Sequence, residues 1–208
     1  MNKFSEFFKA NKDDILKPVV VLLSICIIIP LALSLTNKLT SARIAALAEE
    51  NEQKAMALLI KADSFEPQSF GEGEEKFDFN IAKSQSGEVL GYIFVTAARG
   101  YGGDVSVMTA IGTDGKIIEI SILDVANETP GLGQNVTKEA FYSQYEGKTA
   151  DVKVLKNGAN SSANQINAWT GATISSKAVN AAVNKALANF GEYSNKVLVD
   201  TGVTADEK

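Results

Sequence analysis

A run of twenty residues without a charged side chain occupies positions 18–37, close to the N-terminus of the chain. Val, Leu and Ile dominate this run. A helix of this length covers about 30 Å, which matches the hydrocarbon thickness of a bilayer. A secretory signal peptide has a shorter apolar segment that ends at a small-residue cleavage site, and no such site follows cleanly here. We therefore predict an uncleaved, single-pass transmembrane helix at residues 18–37.

The basic residues around this run predict its orientation. Cytoplasmic flanks of transmembrane helices are enriched in Lys and Arg. The region just beyond the run contains Lys38 and Arg43, whereas the N-terminal flank contains Lys3, Lys9, Lys12 and Lys17. We expect residues 1–17 to be cytoplasmic and everything after residue 37 to lie on the extracytoplasmic side of the cell (inner) membrane.

The composition excludes several classes of chemistry. The chain contains no histidine, and its one cysteine, Cys26, lies within the apolar run. Histidine-based acid–base catalysis, a zinc site of His or Cys, an iron–sulfur cluster held by this chain alone and an internal disulfide are therefore excluded. The net charge of −5 provides no basic surface for nucleic acid. We predict no metal site and no catalytic residue, so electrons that pass through this chain need an organic cofactor.

Hydrophobic periodicity predicts an α+β domain after the membrane segment. Residues 39–61 have the pattern of a continuing amphipathic helix, and residues 62–76 that of a polar connection. Alternating apolar residues and the Asp114-Gly115 turn predict an antiparallel meander of about four strands. The predicted strands are residues 77–83, 89–97, 105–111 and 116–125. Further along the chain we predict a short helix at 137–144, a strand at 152–155, a polar loop at 157–165 and a helix at 175–190.

These patterns give five regions. We expect a twisted antiparallel sheet with packed helices to form one domain at residues 77–199. The flanking regions are a cytoplasmic N-terminus at 1–17, the transmembrane helix at 18–37, a membrane-proximal helix and linker at 38–76, and a C-terminal tail at 200–208.

A turn of small and hydroxyl residues precedes the last predicted helix. Its sequence is Trp169-Thr170-Gly171-Ala172-Thr173-Ile174. Thr173 therefore stands at a helix start, where free backbone N–H groups and the helix dipole favour an anion. Gly171 leaves room for a ligand to approach the backbone. We predict a phosphate site here, to which the hydroxyls of Ser175 and Ser176 contribute; the alternative is an ordinary helix cap.

Two glycine-rich loops accompany this turn. They are residues 100–103 (Gly-Tyr-Gly-Gly) and residues 128–133 (Glu-Thr-Pro-Gly-Leu-Gly). Each follows a predicted strand, and turns explain their Pro and Gly content. Turn geometry requires neither Glu128 nor Thr129. We predict that both loops converge on the N-terminus of the last helix.

The turn and the two loops together resemble one known family. Residues 170–173 match the Ser/Thr-Gly-Ala-Thr signature of the FMN-binding domain found in the Rnf and Nqr respiratory complexes, and the loops resemble signature loops of that domain in the same order. In this family the last threonine of the signature forms a phosphoester with FMN, which implies covalent FMN on Thr173. The family pattern usually has Asp where this chain has Asn167.

The resemblance also implies which residues contact the cofactor. Thr129 and Thr170 suit the ribityl chain or the ring edge. Leu132 and Trp169 are candidate apolar faces for the ring, although Trp169 fits the core equally well. Glu128 would orient a loop or a ligand hydroxyl, or would be an exposed turn carboxylate. The full set of expected contacts is Glu128, Thr129, Gly131, Leu132, Trp169, Thr170, Gly171, Ala172, Ser175 and Ser176.

The chain looks like a G subunit of the Rnf type. This implies an electron-transfer component of a membrane complex that couples ferredoxin/NAD electron transfer to Na⁺ or H⁺ translocation, without catalysis by this chain alone. The implied partners are the other subunits, the bilayer and a flavin transferase. Two alternatives remain: a C subunit of Nqr or a stand-alone flavinylated carrier, and a membrane-anchored assembly module without a cofactor.

Overall fold

The apolar run lies within one long helix, α1, at Lys12–Leu59. The structure is a computed structural model that describes residues 12–73, 76–149, 151–160 and 163–200, with side chains described between residues 16 and 197. The predicted tail therefore lies outside the described residues from position 201, and so do residues 1–11 of the predicted cytoplasmic segment. Two compact units divide the chain after Glu50.

The first unit contains the part of α1 that is apolar enough to cross a membrane. Its most apolar 18-residue window has a mean hydropathy of 2.8 and is exposed throughout. The hydroxyls of Ser24 and Thr36 donate to backbone carbonyls one turn earlier, Val20 O at 2.7 Å and Ala32 O at 2.9 Å. These bonds satisfy polar groups that lipid cannot solvate. The helix thus fits a membrane anchor.

The second unit is built on a five-stranded antiparallel sheet in the order β1-β2-β3-β4-β5. The four predicted strands are confirmed as β2 to β5. The strands are β1 Ser64–Phe70, β2 Phe77–Lys83, β3 Val89–Arg99, β4 Asp104–Gly112 and β5 Ile117–Asp124.

The prediction of a polar connection at residues 62–76 is wrong, because β1 lies within it. This strand contains Pro67 and is mostly exposed. It forms the sheet edge, where proline is tolerated because one side of the strand needs no partner. Pairing with β2 places Phe65 opposite Ala82 and Phe70 opposite Phe77. The strand therefore depends on its neighbour and not on its own alternation.

The sheet is covered on both faces. The last helix, α3 at Thr173–Asp200, packs Val179 and Val183 against Phe94 and Ile111 on one face. On the other face, the end of α1 contributes a cluster with strands β2, β3 and β4. That cluster contains Ala55, Met56, Leu59, Ile60, Ala82, Ile93, Met108 and Ala110. An α+β fold is confirmed.

The connection between β5 and α3 differs from the prediction in detail. The helix predicted at residues 137–144 is interrupted: a 3₁₀ turn at Gly133–Thr137 precedes α2 at Glu139–Tyr142, and a second 3₁₀ turn follows at Ser143–Tyr145. Strand β6, Lys153–Leu155, pairs in parallel with β7, Gln165–Asn167, which the sequence did not predict. This small sheet leads directly into the turn before α3.

Helix α3 runs beyond the end predicted at residue 190. Tyr193 lies on the same buried side as Phe190, and its ring centre is 4.7 Å from that of Phe79. Aromatic packing at this end of the sheet therefore lengthens the helix past the predicted apolar run.

Candidate functional site

Three separate loops meet at the N-terminus of α3 and enclose a cleft of about 490 Å³. They are the 100–103 loop, the 128–133 loop and the turn at 169–174. The predicted convergence is confirmed. The cleft is lined by Tyr101, Glu128, Thr129, Leu132, Gly133, Gly171, Ala172, Thr173, Ile174 and Ser175.

The start of α3 provides backbone donors beside Thr173. The first i→i−4 bond at this helix start runs from Ser176 N to Ala172 O at 2.9 Å. The N–H groups of Thr173, Ile174 and Ser175 precede it, as expected for the first turn of a helix. Thr173 is half-buried and lines the cleft. Its hydroxyl therefore belongs to a position where a helix dipole favours negative charge.

Position 171 requires glycine for two reasons, its backbone conformation and the limited space beside it. Its φ of +82° lies in the left-handed region that L side chains rarely adopt. A Cβ at this position would lie 3.2 Å from Leu132 Cδ2. Any side chain would therefore strain the turn and press against a wall of the cleft.

Glu128 joins the three loops through a buried carboxylate. The residue is 2% exposed. Its Oε2 accepts a hydrogen bond from the hydroxyl of Ser175, and its Oε1 accepts one from Gly102 N at 3.1 Å. Burial alone raises the pKa of Glu128, but the hydroxyl of Ser175 and the backbone N–H groups of residues 101–103 outweigh it and lower the pKa below its ordinary value. The carboxylate is therefore charged and fully engaged at neutral pH.

Glycines surround this carboxylate because nothing larger fits. A Cβ on Gly133 would lie 2.5 Å from Glu128 Oε2 and 2.8 Å from Ser175 Oγ, and a Cβ on Gly100 would collide with Glu128 Oε1. The loops follow the shape of the buried acid. An exposed turn carboxylate, one of the two alternatives for Glu128, is thereby ruled out.

Several predicted contacts line the cleft as expected, but Ser175 has a different partner. Thr129, Leu132, Ala172 and Thr173 all line it. Ser175 also lines it, yet its hydroxyl proton is donated to Glu128 and is unavailable to a phosphate. Only the backbone N–H of Ser175 remains for an anion.

Ser176 and Gly131 serve the architecture around the cleft. Ser176 is fully buried; its Oγ donates to Ala172 O and accepts from Trp169 N, both at 2.9 Å. Its hydroxyl therefore closes the turn before α3 instead of pointing to a ligand, contrary to the sequence expectation. Gly131 has a φ of +74° and supplies a bend in the 128–133 loop.

Trp169 and Thr170 line a second cleft of about 350 Å³. Trp169 is half-buried against the main core, and Lys138 Nζ lies 5.1 Å from its ring centre. The structure thus favours the core alternative for Trp169. Asn167 and Gln144 line this second cleft as well: Gln144 Oε1 accepts from Asn167 N at 2.8 Å.

Three lining residues were absent from the expected contacts: Tyr101, Gly133 and Ile174. Tyr101 lies in a loop that the sequence singled out for its glycines and for its resemblance to a signature loop of the family, without a role for the tyrosine itself. Ile174 is 53% exposed although it is a large aliphatic residue at a helix start. The signal available in the sequence was a large aliphatic residue directly after Thr173, and its exposure in the structure indicates a ligand with an apolar part.

The cleft offers anion-binding backbone, hydroxyls and apolar walls, but no acid–base pair. Among the described residues, no group of three or more His, Cys, Asp or Glu residues is arranged to hold a metal ion. This combination suits an amphipathic, anionic ligand.

Comparison with known proteins identifies the same region. Residues 100–188 match the model of the FMN-binding domain. In fold, the chain is similar to the C subunit of the Na⁺-translocating NADH-quinone reductase from Parabacteroides distasonis, with a TM-score of 0.59 and 18% identity over 72% of this chain and 94% of that one.

The sequence relatives are G subunits of ion-translocating complexes. The chain is 35% identical to the G subunit of the Na⁺-translocating ferredoxin:NAD⁺ oxidoreductase complex of Acetobacterium woodii, over 78% of this chain and 85% of that protein. It is 30% identical to the G subunit of the ion-translocating oxidoreductase complex of Methanosarcina acetivorans, over 86% and 95%. A match to the G subunit of the proton-translocating complex of Clostridium ljungdahlii has 40% identity, over 51% of this chain and 56% of that protein. The chain therefore belongs to the G-subunit family of ion-translocating, Rnf-type oxidoreductase complexes, and its extramembrane part carries an FMN-binding domain.

Proposed function

We propose that the chain carries FMN as a phosphoester on the hydroxyl of Thr173 and relays electrons within its complex. The observation that carries this proposal is the position of Thr173. It lies half-buried in the first turn of α3, at the point where backbone donors meet the apolar wall of the cleft.

The residues present fit each part of FMN. The free N–H groups of residues 173–175 suit the phosphate, as do helix N-termini in other phosphate sites. Leu132, Ile174 and Ala172 supply apolar surface for the ring, and Thr129 supplies a hydroxyl for the ribityl chain. A volume of about 490 Å³ lies within the range of small-molecule sites.

The chemistry of the site supports electron relay over substrate turnover. FMN supplies one- and two-electron redox chemistry when it is bound. The chain itself contributes attachment, orientation and apolar surroundings. The carboxylate of Glu128 accepts hydrogen bonds from the hydroxyl of Ser175 and from Gly102 N, so it is not available as a general acid or base. The cleft therefore positions a cofactor and does not process a soluble substrate.

Family membership extends the proposal to the whole complex. The relative from A. woodii is named for ferredoxin:NAD⁺ oxidoreduction coupled to Na⁺ translocation, and that from C. ljungdahlii for the proton-translocating equivalent. We propose that the complex containing this chain likewise couples ferredoxin/NAD electron transfer to Na⁺ or H⁺ movement, with the other subunits as partners.

The location of the domain gives covalent attachment a physical reason. The lysine-rich N-terminal flank favours a cytoplasmic N-terminus and an extracytoplasmic FMN domain. Free FMN is scarce on that side, so a merely bound flavin would dissociate without replacement. A covalent bond keeps the ring at a fixed effective concentration. A flavin transferase is the partner that this maturation requires.

The test is flavin fluorescence of the denatured chain after production together with a flavin transferase. We expect a fluorescent band from the wild type and none from Thr173→Ala. Thr113→Ala, a change in an exposed hairpin turn away from the cleft, is the matched control and should fluoresce like the wild type. Intact mass should show one added FMN phosphoester on the wild type. No fluorescence from either chain would leave the cofactor-free assembly module as the better account. Equal fluorescence from wild type and Thr173→Ala would overturn Thr173 as the attachment residue, because the flavin would then be attached elsewhere.

A further inference from the structure

Tyr101 is an exposed aromatic residue on the wall of the cleft. Its side chain is 69% exposed. Within the described part of the chain, no hydrogen bond or ring contact involves its phenol ring. Other aromatic side chains of this unit pack in the core, among them Phe94, Phe141 and Tyr145. An exposed large ring beside a cleft is a common feature of a ligand site.

The loop that carries Tyr101 is held in place on both sides. Gly100 N donates to Gly103 O at 2.7 Å, and Gly102 N donates to Glu128 Oε1 at 3.1 Å. A Cβ on Gly103 would lie 2.5 Å from the Cβ of Asn127, and one on Gly102 would collide with Asn127 O. Tyr101 therefore has the one side chain in a tightly packed four-residue loop, which limits where its ring can go.

The other exposed apolar residues of the cleft come from the two remaining loops. Leu132 is 49% exposed and Ile174 is 53% exposed. Each of the three converging loops thus contributes one large, exposed apolar side chain to the same space. Aliphatic and aromatic walls around an open cleft suit a flat aromatic ring, which buries both of its faces against them.

We propose that Tyr101 stacks on the isoalloxazine ring of the FMN attached to Thr173, and that Glu128 is the positioning residue that holds Tyr101 there. This inference rests on the proposed function. Stacking would bury the ring of Tyr101 and remove the cost of its exposure. The carboxylate of Glu128 acts through the loop backbone, since its Oε1 accepts a hydrogen bond from Gly102 N, next to Tyr101, while its Oε2 accepts one from the hydroxyl of Ser175.

Native flavin fluorescence tests the stacking without any measurement of activity. A phenol stacked on an excited flavin quenches its emission by donating an electron to it. The probe is the full-length flavinylated chain in detergent, and the readout is the ratio of flavin emission before and after denaturation. We expect this ratio to rise several-fold in Tyr101→Leu and to rise in Tyr101→Phe, which keeps a ring but removes the electron-rich phenol.

Matched variants separate stacking from general damage. Tyr193→Phe alters a tyrosine packed near the other end of α3 and should leave the ratio unchanged. Glu128→Gln should raise the ratio because the loop loses its charged acceptor, and adding Tyr101→Leu to it should bring little further increase. An unchanged ratio in Tyr101→Leu at equal flavin content would overturn the proposal.

The amount of attached flavin is read from the denatured band, so the two proposals fail separately. A wild-type chain without covalent flavin would contradict the assignment of Thr173 alone. In that case free FMN is titrated into the wild type and Tyr101→Leu. If the wild type quenches the flavin emission to saturation and Tyr101→Leu does not, the aromatic contact is supported. Identical titrations of the two chains would contradict it.

Discussion

The hydroxyl of Ser175 donates a hydrogen bond to the carboxylate of Glu128, although 47 residues separate them in the chain. Both side chains are buried. The bond links the first turn of α3 to the 128–133 loop, and the same carboxylate holds the 100–103 loop through Gly102 N. One buried charge thus keeps three loops together around the cleft. Because folding lowers the pKa of this carboxylate, its contribution to stability depends on pH.

Glu128→Gln should destabilise the protein at neutral pH, by about 2 kcal/mol for the loss of hydrogen bonds to a charged group. The pKa of Glu128 in the folded chain is below its ordinary value of 4.5. A depressed folded-state pKa means that the stabilisation is complete above the ordinary pKa and disappears as the pH falls through the folded value. The difference in unfolding temperature between wild type and variant should therefore shrink on acidification below pH 4.5.

Thermal unfolding of the full-length chain in detergent, followed by tryptophan fluorescence, measures this difference. Glu146→Gln, which alters an exposed carboxylate, is the control and should show little difference at any pH. If the difference in unfolding temperature between the wild type and Glu128→Gln stays constant during acidification, the carboxylate adds no pH-dependent stability.

Gly171→Val should lower both the stability of the protein and its flavin loading. The left-handed φ of +82° costs a residue with a Cβ about 1–2 kcal/mol, and the new side chain also meets Leu132. Gly158→Val is the matched control: its φ is +76°, but a Cβ there meets nothing within 4 Å. We expect both variants to melt earlier and only Gly171→Val to lose fluorescence in the denatured band. Equal loading in both would show that the space beside Leu132 is not needed.

The elements that the sequence predicted well are those whose signal is local. The alternation in β2 to β5 and the Asp114-Gly115 turn are carried by neighbouring residues, and these strands were confirmed. Strand β1 was missed because it contains Pro67 and lacks a clear alternation; it exists through its pairing with β2. The part of α3 after residue 190 was missed because Tyr193 packs, half-buried, against Phe79 of a distant strand.

The same distinction holds at the site. The helix start at Thr173 and the convergence of two glycine-rich loops followed from motifs in the sequence. The partners of individual hydroxyls did not, because Ser175 and Ser176 differ by one helical position yet face an acid and a turn carbonyl, respectively. Tertiary contacts determine these hydrogen-bond partners. The buried state of Glu128 likewise depends on a tertiary contact, because the carboxylate packs against Gly100 of another loop as well as against Gly133 of its own.

Asn167→Asp should load flavin as well as the wild type does. Asn167 Oδ1 accepts a hydrogen bond from Ala159 N at 3.0 Å, and an aspartate oxygen can accept the same bond. The backbone of residue 167 is held separately, since Gln144 Nε2 donates to its carbonyl oxygen at 3.2 Å. Asn167, in place of the Asp that the family usually has, thus preserves a hydrogen-bond acceptor at this position.

Asn167→Leu removes that acceptor and should reduce loading, because the turn before α3 loses an anchor. Flavin per chain, measured from the denatured band, compares the two variants at equal expression. Strongly altered loading in Asn167→Asp would mean that the transferase distinguishes the amide from the carboxylate directly.

Two threonines on the face of the sheet under α3 give opposite predictions for the same substitution. Thr96 Oγ1 donates to Ala182 O of α3 at 2.8 Å, whereas the buried Thr109 Oγ1 has no hydrogen-bond partner among the described residues. Thr96→Val should cost about 1 kcal/mol, because it removes a bond and leaves a buried carbonyl with one partner fewer. Thr109→Val replaces an unsatisfied hydroxyl with a methyl group of similar size and should stabilise the protein by about 1 kcal/mol.

Denaturant unfolding of the two variants in one detergent gives the sign of each change. Both residues lie outside the cleft lining, so flavin loading should equal that of the wild type in each and serves as the control for folding. Stabilisation by Thr109→Val would mean that the buried hydroxyl of Thr109 lowers the stability of the sheet and serves neither the core nor the cofactor site. If Thr109→Val instead destabilises the protein, a buried water or a different rotamer must satisfy the hydroxyl of Thr109. Both substitutions would then lower the stability, contrary to the opposite effects predicted here.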